Sequence, residues 1–161
     1  MYQRECGNTL RQRGIHMPKE KINITRKEFS DSCRKHYYLY KKAEDIENNN
    51  SRRLLLFYSA ECGLKSCILG KIGKNTYLEL EAYCKDNNKG NCGHDIKNLL
   101  KIADIQHLDS LKTIRLYEGR EIQSRQFNEL WRYGAKVADE KECEDAEEAL
   151  RKIVEWLIVR I

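Results

Sequence analysis

The chain reads as all-α, an antiparallel four- to five-helix bundle behind a basic, irregular N-terminal arm. Three observations predict this. Only one proline, Pro18, occurs in 161 residues, and helices exclude proline from their interiors while loop-rich folds use it in turns. Apolar residues recur at three- and four-residue spacing through most of the chain, and no strand-like alternation competes. At 19.1 kDa, with 40% hydrophobic and 34% charged residues, there is enough apolar side chain for one core under a well-solvated surface, and too little chain for two large domains.

Residues 1–24 show no sustained period and contain Gly7, Gly14 and Pro18. They are expected to form an arm with little packing. The bundle is expected over residues 25–161. Thr25 can cap a first helix with Glu28 completing a capping box, after which Phe29, Cys33, Tyr37, Tyr40 and Ala43 fall on one face. The run Asn48, Asn49, Asn50 reads as the turn that ends it, and Ser51 as the restart. From Leu54 to Leu69 the chain is apolar on almost every side, the pattern of a central helix, with Gly70 and Gly73 ending it. A shorter piece from Thr76 to Tyr83 precedes the turn-rich stretch 86–91. His94 or Asp95 opens the next helix, and a short one from Gln126 to Tyr133 closes at Gly134. The last helix crowds Asp139, Glu140, Glu142, Glu144 and Asp145 at its start, where the helix dipole favours anions, and buries Ala146, Ala149, Leu150, Ile153, Trp156 or Leu157, and Ile161.

Charge narrows the partners. Residues 1–27 hold seven Lys/Arg against Glu5 and Glu20, which accounts for the whole net charge of +5, and the remainder balances 23 basic against 23 acidic residues. A neutral body gives no case for a groove built to wrap nucleic acid, though a basic arm or a local patch stays open. No apolar run reaches the roughly 18 residues that span a bilayer, and residues 1–24 lack the apolar core of a secretory signal, so no membrane is expected and a cytosolic protein is. Seven cysteines, an odd number without a C-x-x-C pair, read as reduced thiols. Cys84, Cys92, His94 and His107 could be arranged around zinc, but close ligand pairs are missing and no metal is expected. No motif calls for a cofactor: there is no Gly-rich phosphate loop, no G-x-S-x-G and no H-E-x-x-H.

Three spots carry possible chemistry. Glu61 and Lys65 are charged groups inside the apolar central helix, one turn apart on the face of Tyr58; they make either an ion pair at the helix's one wet edge or a polar pocket for a phosphate or a base. His94 and Asp95 at a helix start serve as acid/base groups or as caps. Arg132 and Tyr133, ahead of Gly134, present a guanidinium to an anion or simply complement the helix dipole.

The segments Ser51-Arg52-Arg53-Leu54-Leu55-Leu56-Phe57-Tyr58-Ser59-Ala60-Glu61-Cys62-Gly63-Leu64-Lys65, Gly93-His94-Asp95-Ile96-Lys97-Asn98-Leu99-Leu100 and Leu130-Trp131-Arg132-Tyr133 together resemble the HEPN (higher eukaryotes and prokaryotes nucleotide-binding) superfamily over residues 26–161. Those helical bundles show a Tyr-x-x-Glu-x-x-x-Lys core helix, a His-x-x-x-Leu helix start and an Arg-Tyr pair, in that order. The resemblance implies a homodimer, with a nucleotide, RNA or a protein encoded nearby as partner, in a bacterial antiphage-defence or toxin-antitoxin setting. It places nucleotide or RNA contacts at Tyr58, Glu61, Lys65, His94 and Arg132, with His94 and Arg132 the candidates for any catalysis. Many members are metal-independent ribonucleases with an Arg-x4-6-His motif on a late helix. This chain lacks it there: the one match, Arg11 with His16, lies in the arm, and with 13 Arg and four His about one match is expected by chance. The resemblance therefore implies a non-catalytic binding bundle first. A ribonuclease with a displaced site, using His94 or His36 as base, is the alternative, and a structural adaptor subunit is another.

Overall fold

The computed structural model describes residues 21–44 and 49–161. Most of the expected arm, with the Arg11/His16 match and the start of the Asn48 turn, lies outside the described residues. Among them are six α-helices: α1 (Arg26–Lys42), α2 (Asn49–Lys71), α3 (Tyr77–Asp86), α4 (Ile96–Ala103), α5 (Phe127–Tyr133) and α6 (Glu140–Ile158). The mostly helical class holds, with more helices than the four or five expected.

Local chemistry sets the boundaries. Thr25 and Glu28 form the predicted capping box of α1, so two amide groups without helical partners are satisfied reciprocally. The turn expected at Asn49 and Asn50 is instead the first turn of α2. Asp95 caps α4 by accepting from the Asn98 amide, and Gly134, at φ 68°, ends α5 in the left-handed conformation that glycine adopts without steric cost.

The core is arranged around α2, whose Leu56, Phe57, Ala60, Leu64, Ile68 and Leu69 are all fully buried. Helix α1 runs antiparallel to it: the Ser66 hydroxyl donates to the Arg26 carbonyl and the Ser59 hydroxyl to the Cys33 carbonyl, so numbers fall on one helix as they rise on the other. A Cβ on Gly63 would lie 2.9 Å from Cys33 Sγ and 3.0 Å from Leu157 Cδ1. Glycine there is what lets α1 and α6 close on α2 at the same level.

The all-antiparallel arrangement expected from the sequence is corrected. Helix α6 runs parallel to α2, with Arg53 paired to Glu140 and Glu147 at one end and Gly63 packed on Leu157 further along. Helix α4 is parallel to it too, from His94 beside Glu61 to the Ala103 carbonyl beside Lys71. The reason is in the connections. Helix α3 and its loop carry the chain back to the middle of α2 before α4 starts, and α5, whose Gly134 ends near Asn50, returns it to the start of α2 before α6.

The absence of strands is corrected as well. Two-residue strands β1 (Ile114–Arg115) and β2 (Glu121–Ile122) form an antiparallel hairpin, with Ile114 and Ile122 in the core. Strands this short leave no periodic pattern to read. Among the described residues no helix is long and apolar enough to cross a membrane.

Candidate functional site

Tyr58, Glu61 and Lys65 sit three and four residues apart on α2, the spacing that stacks side chains on one helical face. His94 stands just before α4 and Arg132 in the last turn of α5. The fold brings all five together.

Glu61 and Lys65 are only 7% and 5% exposed, so the ion pair lies inside the bundle, where a wet edge was expected. Lys65 Nζ donates to Glu61 Oε1 at 2.6 Å. Its ammonium also lies 4.9 Å from the Tyr77 ring centre and 5.7 Å from that of Phe29, so aromatic faces on α1 and α3 complete its coordination. A buried charge without such partners would cost several kcal/mol, about 3–5 by analogy with broken buried pairs.

The second carboxylate oxygen of Glu61 faces His94. His94 Nδ1 is 2.8 Å from Glu61 Oε2, and the His94 side chain is 57% exposed. A buried carboxylate thus orients a solvent-facing ring. The Glu61 hydrogen bond raises the His94 pKa, against opposition from partial burial and from the nearby charges of Lys65 and Arg132. For Glu61 burial works against the charge, but the His94 hydrogen bond and the Lys65 ammonium outweigh it and hold the carboxyl below its ordinary value.

Arg132 is exposed and donates to the Tyr58 hydroxyl at 2.5 Å. The hydrogen bond to Tyr58, with Tyr133 adding to it, raises the pKa of a guanidinium that is charged in any case. His36 on α1 packs its ring 6.0 Å from that of Tyr58, and burial lowers its pKa. Two imidazoles with opposite shifts therefore flank the Tyr58–Arg132 pair. Chemically the set offers a protonatable, carboxylate-oriented ring and a fixed guanidinium, donors that suit an anion's oxygens.

His94 is held by Glu61, and His107 rests against Trp156. The four residues considered for zinc do not gather, and among the described residues no three His, Cys, Asp or Glu side chains could hold a metal ion. The six cysteines described are free.

Arg53 escaped the sequence reading. It is 3% exposed and pairs with Glu140 at 2.5 Å and Glu147 at 2.9 Å, while Tyr40 also donates to Glu147 at 2.7 Å. This network ties α1, α2 and α6 at the end of the bundle where α6 begins. Its position at the helical spacing that continues Phe57 and Ala60 backwards was the available signal.

No family model, curated protein or solved structure matches this chain.

Proposed function

We propose that this chain is a HEPN-like bundle that binds a phosphate-bearing ligand, a nucleotide or RNA, through His94 and Arg132, without cleaving it. One observation carries the reading: an exposed imidazole is fixed by a buried Glu61–Lys65 pair, and one turn away along α2 an exposed guanidinium is fixed by Tyr58. Holding a buried ion pair behind an exposed ring is costly for stability alone, since an apolar pair of similar volume often serves better. It is well suited to keeping a cationic donor oriented for an incoming anion. The bacterial defence or toxin-antitoxin setting rests on the resemblance, as does the homodimer. The test is equilibrium binding of a 5′-phosphorylated oligoribonucleotide to the wild type, His94→Gln and Arg132→Ala. Each variant should weaken binding about ten-fold, in keeping with charge-assisted hydrogen bonds of about 1.5–3 kcal/mol. Undiminished binding by both would refute the reading.

A second reading has its own support. A carboxylate on Nδ1 fixes the tautomer and ring orientation of His94, the arrangement a general acid or base needs. On that reading the protein is a ribonuclease with a displaced site, and RNA incubated with chelator would be cut by the wild type and spared by His94→Ala.

A further inference from the structure

A second exposed feature adjoins Arg132 at Tyr133. Tyr133, the last residue of α5, is 75% exposed, and Tyr117, at the turn of the β1–β2 hairpin, is 81% exposed. Between them lie two adjoining hollows of about 210 Å³ and 240 Å³ that share Leu116, Arg120 and Ala135. Tyr133 lines the first and Tyr117 the second. The hairpin is fixed relative to α5: the Tyr117 amide donates to the Lys136 carbonyl at 2.9 Å, and Leu116 bridges to Val137.

The floor of this groove is closed, because Leu116, Ile122 and Leu130 are already buried. It offers no deep pocket for an anchoring side chain of a protein partner, and each hollow is smaller than a typical small-molecule pocket of roughly 300 Å³ or more. A flat ring stacked on an exposed tyrosine needs neither. Cations sit beside both rings. The Arg132 guanidinium is 5.9 Å from the Tyr133 ring centre, and Lys136 lines the hollow next to Tyr117. Of the two carboxylates lining the groove, Glu118 is taken up by Arg120 at 3.0 Å, which leaves Glu129 against Arg132 and Lys136.

Two exposed tyrosine rings, each with a cation beside it, supply the two kinds of contact a single nucleic acid strand uses, in which bases stack and phosphates follow the positive groups. We propose that the Tyr133–Tyr117 groove is a stacking path for single-stranded nucleic acid, with one base on each tyrosine and phosphates held by Arg132 and Lys136. The inference rests on the reading of His94 and Arg132 as a phosphate site, and extends that site from one nucleotide to several.

The test compares uridine 5′-monophosphate with single-stranded oligouridylates of three and six nucleotides, on the full chain. In the wild type the oligomers should bind more tightly than the monophosphate. Tyr117→Ala and Tyr133→Ala should each weaken the oligomers about ten-fold, the loss typical of one stacked base. Tyr117→Ala should leave the monophosphate unchanged, and Tyr117→Phe and Tyr133→Phe should retain oligomer affinity, which separates stacking from a structural role. Oligomers no tighter than the monophosphate, or unaffected by both alanine variants, would overturn the inference. So would a Tyr117→Ala protein that loses self-association but binds oligomers normally, since the groove would then join two copies of the chain. Monophosphate binding that ignores His94→Gln refutes the underlying site instead, and the groove then stands or falls on the tyrosine variants alone.

Discussion

His94 Nδ1 lies 2.8 Å from Glu61 Oε2, joining a solvent-facing ring to a carboxylate that is 7% exposed. The link couples the surface to the interior of the bundle, because the other oxygen of Glu61 is held by Lys65. A change at any one of the three is felt by the others.

The His94 imidazole should titrate above its ordinary 6.5, chiefly because of the Glu61 hydrogen bond. A group whose folded pKa is raised adds stability that is fully present below its unfolded pKa and is lost as pH rises through the folded one. The stability from this contact should therefore fade from about pH 6.5 upward. Proton NMR of the ring in the wild type and Glu61→Gln checks it: the variant's pKa should fall, and its stability should lose that slope. Equal pKa values in both proteins would mean that the contact does not persist in solution.

Lys65→Ala leaves Glu61 buried with only His94 as partner and should cost about 3–5 kcal/mol in urea unfolding. The double variant Glu61→Gln, Lys65→Met removes both charges and should be more stable than Lys65→Ala. Additive losses would show the pair to be uncoupled.

Arg53→Met strips two carboxylates of a buried guanidinium and should cost about 3 kcal/mol by the same reasoning. Urea midpoints read it directly.

Gly63→Ala gains helix propensity of about 1 kcal/mol but drives a methyl to 2.9 Å from Cys33 Sγ and 3.0 Å from Leu157 Cδ1. Overpacking of about 1–3 kcal/mol should outweigh the gain. Adding Cys33→Ala should restore part of the lost thermal midpoint by removing one of the two clashes.

Burial pushes the Cys62 and Cys84 thiols up to about 12, far from the thiolate needed for reaction. Alkylation at pH 8 followed by mass spectrometry should leave both unmodified in the native protein and modify both after unfolding.

What could be read from the residues follows from the range of the interactions involved. Caps are local, so Thr25 with Glu28, Asp95 and Gly134 mark helix ends in the sequence as they do in the fold. The convergence of Tyr58, Glu61, Lys65, His94 and Arg132 was anticipated only through the order of short motifs, since nothing in α2 by itself says that α4 and α5 flank it. Helix direction was not legible at all: whether α6 runs with or against α2 depends on how α5 returns the chain, a long-range matter. The β1–β2 hairpin was hidden because two-residue strands carry no alternation. Arg53 was overlooked because a charge beside the helix start reads as solvated, whereas its partners come from α6, 87 and 94 residues on.

A phosphate site formed by His94 and Arg132, and oriented from within by Glu61 and Lys65, should show itself in one titration. Binding of uridine 5′-monophosphate is measured by calorimetry at pH 6 and pH 8.5 in the wild type and in His94→Gln. His94→Gln should bind more weakly, and wild-type binding should gain more than the variant's on going from pH 8.5 to pH 6, because the ligand's own phosphate titration is common to both proteins and the imidazole charge is not. Equal affinity and equal pH dependence in the two proteins would contradict this site.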